Sequence, residues 1–207
     1  MTRLLFAVFL ASPLLPAWAI AEDAAPPRAV TVARATAIPS CASYVDASAA
    51  KGDGTAGKPF KRIADAVAAA QPGAIVCVAE GAYPEQIAPG EKYFTLAGGF
   101  QSGSSFKVRD SAKYVSKAQG KGGSFIRYVD PGPKDDQLTA IDGFEIAGYS
   151  QAILRDYYES QRFDVTNNFI HDNACGDNSL VGGGVALNNV SGTVSYTHLT
   201  LPTILLV

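Results

Sequence analysis

Apolar residues along this chain change period twice. Residues 4–10 form an unbroken apolar run behind Arg3. Between Pro59 and Gln71 the apolar positions Phe60, Ile63, Val67 and Ala70 recur at helical spacing, with Lys61, Arg62 and Asp65 off the stripe. This predicts a helix over 59–71, with Pro59 in its first turn and Pro72-Gly73 as its stop. The run 74–79 that follows is short, apolar and bounded by Gly81, which predicts a strand buried on both faces. Ser43 to Asp46 alternates and predicts a shorter strand ahead of the glycine-rich loop 51–57. Beyond residue 80 no amphipathic helix recurs. Short β-prone runs take over at 93–97, 124–129, 138–146, 152–154, 163–165, 169–170 and 185–187, nearly all interrupted by Gly, Asn or Asp.

Parallel strands are normally joined through helices, and these runs have none between them. Two architectures remain: an antiparallel sandwich, or a solenoid in which each coil pairs with the next. Asp142-Gly143-Phe144-Glu145-Ile146 and Thr166-Asn167-Asn168-Phe169-Ile170 place Ile146 and Ile170 one loose repeat apart, and Val194 falls at the following step. The six asparagines all lie between Asn167 and Asn189. Stacked corner amides can hydrogen-bond along a ladder, and asparagine tolerates the left-handed backbone of such corners. The expectation is therefore an all-β parallel β-solenoid over 41–193, with about five coils, a capping α-helix at its N-terminal end and an incomplete C-terminal end. A solenoid exposes the interior of its first coil, and the Phe60, Ile63 and Val67 stripe is suited to cover it. Gly81, Tyr83 and Glu85 are expected to shape the first corner.

Residues 43–85 resemble an N-terminal module of secreted bacterial right-handed parallel β-helix proteins of the pectin-lyase-like superfamily. The match is carried by Tyr44-Val45-Asp46, Gly54-Thr55, Lys58-Pro59-Phe60-Lys61, Ile63, Ala66-Val67, Ala70, Pro72-Gly73, Ile75, Val78, Gly81, Tyr83 and Glu85. It departs at Arg62, where threonine is usual, and at Ala74, where aspartate commonly follows Pro-Gly. Later phrases, Gly98-Gly99-Phe100, Arg109-Asp110, Ile141-Asp142-Gly143-Phe144 and Gly182-Gly183-Gly184-Val185, are similar to ones that recur in these proteins. The resemblance implies polysaccharide recognition or processing, with calcium as the cofactor that the superfamily often uses. Because that inference runs through fold alone, a noncatalytic surface or adhesive solenoid and a β-sandwich carbohydrate-binding module stand beside it.

Composition sets the compartment and removes one class of partner. With 17 Lys+Arg against 19 Asp+Glu, the chain has no basic field for nucleic acid. Residues 1–21 combine Arg3, the apolar run, Pro13, Pro16 and the closing Ala19-Ile20-Ala21, which reads as a secretory signal rather than a membrane span of about 20 apolar residues. A secreted or periplasmic product follows, with no membrane span after signal removal. The Ala- and Pro-rich stretch 22–40 reads as a disordered linker. From Asn178 onward the chain holds no Asp, Glu, Lys or Arg, and 194–199 resembles one reading frame of the transposon end used to build sequencing libraries. Residues 194–207 are therefore expected to be a non-native tail.

Export makes a disulfide feasible. Cys41 precedes the first predicted strand and Cys77 sits in the next, so adjacent coils can bring them together, whereas Cys175 lacks an evident partner. Acidic residues supply the remaining chemistry. Oxygen ligands on successive coils can hold a hard cation, which singles out Asp164, Asp172 and Asp177 as candidate metal ligands. Asp142, His171 and Asn173 are the candidate substrate contacts, with His171 the candidate for proton transfer. Tyr149, Tyr157 and Tyr158 offer rings for stacking on sugars. The plainer reading of these acids is as turn caps or solvent-facing groups.

Overall fold

In a computed structural model the described residues are 35–129, 133, 137–156, 161–174, 184–187, 190–191, 194–195 and 198–199. The expected signal segment 1–21, residues 22–34 of the expected linker, Cys175, Asp177, Tyr157, Tyr158 and Asn189 lie outside them. After β1 (Ser43–Val45) and α1 (Ile63–Ala69), the chain is built of short strands. The first pass supplies β2 (Ala74–Ala79) and β3 (Gly81–Tyr83), and the second β4 (Phe94–Phe100), β5 (Ser116–Gln119) and β6 (Ser124–Val129). The third supplies β7 (Leu138–Asp142), β8 (Phe144–Ala147) and β9 (Gln151–Asp156), and the fourth β10 (Gln161–Thr166), β11 (Phe169–His171) and β12 (Val185–Leu187). Last come β13 (Val190–Ser191), β14 (Val194–Ser195) and β15 (His198–Leu199).

Successive passes deposit strands in the same order on three sheets. The first sheet runs β1-β2-β4-β7-β10-β13, with β14 also on β10; the second holds β3, β5, β8, β11 and β15; the third holds β6, β9 and β12. Ile87 bridges Ile126 in parallel, so the first pass also touches the third sheet. Every pair of named strands among the described residues is parallel. That overturns the antiparallel sandwich, and the all-β, parallel, three-sheet order is consistent with a β-solenoid.

Ile146 lies opposite Ile170 and Ile141 opposite Val165. The extrapolation to the next step needs correcting. Val194 sits opposite Val165 in the first sheet, and the residue opposite Ile170 is Leu199. Apart from one register shift between β2 and β4 at Cys77–Ala79, the strands keep register while the corners absorb insertions, so no single repeat length holds along the chain. The excursion 101–115 shows this most plainly, because it separates β4 from β5 without disturbing either sheet. Two pairs of residues expected in the non-native tail, Val194–Ser195 and His198–Leu199, lie paired on β10 and β11.

Strand alternation sends one set of side chains into a common interior. In the first sheet Val76, Leu96, Ile141 and Val165 stack in register, nearly or fully excluded from solvent. In the second sheet Tyr83, Ala118, Ile146 and Ile170 do the same. Phe125 packs between Phe144 and Tyr149, with ring centroids 5.9 and 6.0 Å away. Each large apolar side chain buried in this way stabilises by roughly 1.5–3 kcal/mol.

The cap is shorter than its sequence pattern. Helix α1 covers 63–69 rather than 59–71, because Arg62 is extended (φ −120°, ψ 141°). Phe60 belongs to an extended segment: its N–H donates to the Tyr44 carbonyl and its own carbonyl accepts from Asp46 N–H, both at 2.9 Å. This segment closes the free edge of β1, while Ile63, Ala66 and Val67 cover the interior. The helix start has no local cap. Glu85 supplies one from the first corner, its two carboxylate oxygens accepting from the N–H groups of Ile63 and Ala64 at 2.9 Å each. Lys92 closes the other end, donating to the Val67, Ala68 and Ala70 carbonyls.

Asparagines clamp the corners, although not as an amide ladder. Asn168 accepts from Phe144 N–H at 2.8 Å and donates to the Ile141 carbonyl at 2.7 Å. Asn173 repeats the arrangement with Tyr149 N–H (2.9 Å) and the Ile146 carbonyl (3.0 Å). Each clamp follows a residue in the left-handed region, Asn167 (φ 54°) and Asp172 (φ 50°). In the preceding pass Gly143 (φ 80°) and Gly148 (φ 79°) occupy the matching positions and donate to the carbonyls of Thr166 and Asp172. On the outer face of the first sheet, Cys41 and Cys77 are disulfide-bonded with Cα atoms 5.7 Å apart. Cys77 is packed there with Ala97, Phe100 and Phe106 from the excursion.

Two outcomes follow. Asn168→Ala and Asn173→Ala each strand a buried backbone N–H and should each lower unfolding stability by about 1–3 kcal/mol in urea titrations, whereas substitution of exposed Gln119 should change little. Breaking the disulfide in a Cys41→Ser, Cys77→Ser double variant should cost about 3–4 kcal/mol in the same assay; an unchanged midpoint contradicts its stabilising role.

Candidate functional site

Alternation that buries Ile146 and Ile170 turns the intervening residues of the second sheet outward. Ala82, Lys117, Glu145 and Phe169 fall in one outward row, and Gln119, Ala147 and His171 in the next. Glu145 stands between two cationic or potentially cationic groups: its Oε1 lies 2.7 Å from Lys117 Nζ and 3.3 Å from His171 Nε2. His171 Nδ1 lies 2.8 Å from Asp172 Oδ2, and its ring stacks on Phe169 at 4.2 Å between centroids. Both imidazole nitrogens thus face carboxylates, and a neutral ring can donate to only one of them. His171 and Asp172 were legible as candidates; Lys117 and Glu145 were not. Their signal was the register that places Glu145 beside Phe169.

The other sequence candidates are engaged in holding the fold. Asp142 receives Arg109 Nη2 at 2.5 Å on one oxygen, and Thr166 Oγ1 (2.8 Å) and Asn167 Nδ2 (2.5 Å) on the other. Arg109 also donates to the carbonyls of Gly98 and Ala37 at 2.8 and 2.6 Å, and its guanidinium lies 5.4 Å from the Phe100 ring centroid. It ties the excursion to the first sheet and to the incoming chain. Residues 35–40, assigned to the linker by composition, are held here: Ser111 N–H donates to the Ala35 carbonyl at 3.1 Å, and Ala35 N–H to Ser111 Oγ at 2.8 Å. Asn173 is a buried corner clamp. Asp164 lies on β10 opposite Ala140 in the first sheet, and Asp172 at the end of β11 in the second. These two do not form a ligand set, and Asp177 lies outside the described residues. Among the described residues no group of three or more His, Cys, Asp or Glu is placed to hold a metal ion, so calcium has no ligand cluster there.

Space for a ligand opens at the corner between the second and third sheets. One cleft of about 520 Å³ is lined by Ala82, Pro84, Gln119, Lys121 and Tyr149 among others. A second, of about 460 Å³, is lined by Ala88, Ser124, Arg127, Ser150 and Gln151 among others. Gln86 lines both. Glycines keep this corner low: a Cβ on Gly120 would come 2.3 Å from the Tyr149 ring, and one on Gly123 would come 2.5 Å from Gln86 Oε1. Tyr149 Oη donates to the Glu85 carbonyl at 2.7 Å. Burial, reinforced by the nearby Glu85 charge, pushes this phenol above the ordinary tyrosine range, so it stays a protonated donor. The Glu85 carboxylate itself is turned away to the α1 cap. Tyr149 was legible as a possible sugar contact. Gln86, Gln119 and Gln151 were not, because isolated amides carry no motif.

Residues 47–201, well over half of the chain, match the family model described as Protein of unknown function (DUF1565), and the chain belongs to that family. No curated protein and no solved structure matches it.

Proposed function

We propose that this DUF1565 protein is an exported, right-handed parallel β-helix that recognises polysaccharide along the corner groove between its second and third sheets. The observation that carries the reading is the meeting of two open clefts at Gln86, lined by amide and hydroxyl groups from successive passes. An elongated ligand with regularly spaced hydroxyls suits such a repeating wall, and a solenoid supplies that wall by stacking. Right-handedness rests on the strong chiral preference of parallel crossovers. Export rests on the signal-like residues 1–21, and the Cys41–Cys77 bond suits an oxidising compartment.

Processing of the bound chain is a second reading, favoured by the placement of His171 between Glu145 and Asp172. His171 shares its outward row with Gln119, which lines the groove. The noncatalytic surface or adhesive solenoid shares the groove and differs only in making no product.

Affinity electrophoresis of the full chain through gels containing a panel of neutral and acidic polysaccharides tests the reading. Exposed Ala82 and Ala88 line one cleft each, so Ala82→Trp and Ala88→Trp block the groove without touching the core. The expected result is retardation by at least one polysaccharide, weakened about tenfold, some 1.4 kcal/mol, by either blocking variant. Retardation by none of them, or retardation indifferent to both variants, contradicts the reading. Chain shortening or new unsaturated ends in the retained polymer would establish processing.

A further inference from the structure

A further cleft, of about 370 Å³, opens beside the cap, where β1, the glycine-rich loop, the end of α1 and the start of β2 meet. None of its lining residues lines either corner cleft. Five of the twelve lining residues are alanine, so the walls are apolar but take up little room, and the rings of Tyr44 and Phe60 widen the apolar surface. Gly54 (φ 86°) seats the Phe60 ring, because a Cβ there would come 2.3 Å from it. A space of this size lined in this way suits the hydrocarbon part of a small molecule.

Two polar groups in the lining have hydrogen-bonding capacity to spare. Asp53 Oδ1 accepts from Thr55 N–H at 3.0 Å and from Thr55 Oγ1 at 2.7 Å, whereas its Oδ2 accepts from no other residue among those described. The Thr55 bonds hold this exposed carboxyl below its ordinary range, so it is an anion at neutral pH. Lys58 adds to that effect, yet it stands outside the lining and forms no ion pair with Asp53. Ser43 Oγ is shut off from solvent and is, among the described residues, the one buried side-chain nitrogen or oxygen with no hydrogen-bond partner. Folded proteins seldom leave such a group unmet.

We infer that the cap cleft binds a small apolar amine, its ammonium donating to Asp53 Oδ2 and, once Ser43 turns about χ1, to Ser43 Oγ, with its hydrocarbon body against the alanines and the Tyr44 and Phe60 rings. An ammonium has three donors to share between such acceptors, and it gains further from an aromatic face beside it. The inference is independent of the polysaccharide reading of the corner groove.

Amide shifts of the isotopically labelled full chain, titrated with phenethylamine, test it. The controls are 3-phenylpropionate, which keeps the ring and reverses the charge, and ethylamine, which keeps the charge and lacks the ring. The expected result is saturable shifts centred on Thr55, Ala56, Ala70 and Ala74, with both controls several-fold weaker. Exposed Ala69 lines the cleft, and Ala69→Trp should abolish binding by filling it. Asp53→Asn keeps an acceptor for Thr55 and should weaken binding about threefold or more, as loss of an exposed ion pair does. Ser43→Ala should weaken binding while leaving the urea midpoint unchanged or higher, because it removes an unpaired buried group; a purely structural serine would move only the midpoint. Absence of shifts at the cleft, equal affinity for 3-phenylpropionate, or binding indifferent to both Ala69→Trp and Asp53→Asn would overturn the inference. Affinity unchanged in Ser43→Ala would overturn the contact assigned to that hydroxyl.

Discussion

Each pass of the chain leaves a row of backbone donors and acceptors that only the adjacent pass can satisfy. A strand of two to seven residues has little stability of its own, and the parallel ladder makes every pass the template of the next. Once that ladder is in register, side chains sort without further instruction: Val76, Leu96, Ile141 and Val165 line up because their backbones do. The hydrophobic effect rewards the alignment, while the hydrogen-bonding requirement defines it. The N-terminal edge is where the ladder would remain unsatisfied, and the segment carrying Phe60, followed by α1, closes it.

Corners decide what the ladder can carry. Where the chain turns between sheets, left-handed residues stack on one another: Gly143 beneath Asn167, and Gly148 beneath Asp172. Asn168 and Asn173 then fasten one pass to the last through main-chain contacts. At the corner between the second and third sheets, Gly120 and Gly123 bring the chain close enough to its neighbours to leave a groove rather than a ridge. Structural side chains are turned into the fold and groove-lining groups out of it. Asp142, Asn173 and Glu85 have their polar atoms consumed by the scaffold, whereas Lys121, Arg127 and Gln119 face outward.

What was legible in the sequence is local or strictly periodic. The Ile63, Val67 stripe announces a helix, and the recurrence of Asp-Gly-Phe-Glu-Ile as Thr-Asn-Asn-Phe-Ile announces two passes in register. Illegible features join residues at irregular separations. Nothing local says that Glu85 caps α1, since the helix start carries no capping residue and the partner arrives from the next coil. Nothing local says that Arg109 reaches Asp142, because the excursion bearing Arg109 has no repeat length. The overextended helix boundary has the same origin: Phe60 fits a helical stripe, but an open strand edge at β1 competes for its backbone and wins. The groove was hidden for a related reason, being assembled from single residues on separate passes.

The central claim is parallel stacking in register, and cross-strand nuclear Overhauser effects on the isotopically labelled chain test it most directly. The account predicts methyl contacts between Ile146 and Ile170 and between Leu96 and Ile141, together with amide-to-α-proton contacts of parallel pairing between β7 and β10 and between β8 and β11. Strong contacts between α-protons of directly opposed residues on neighbouring strands, which antiparallel pairing produces, would contradict it.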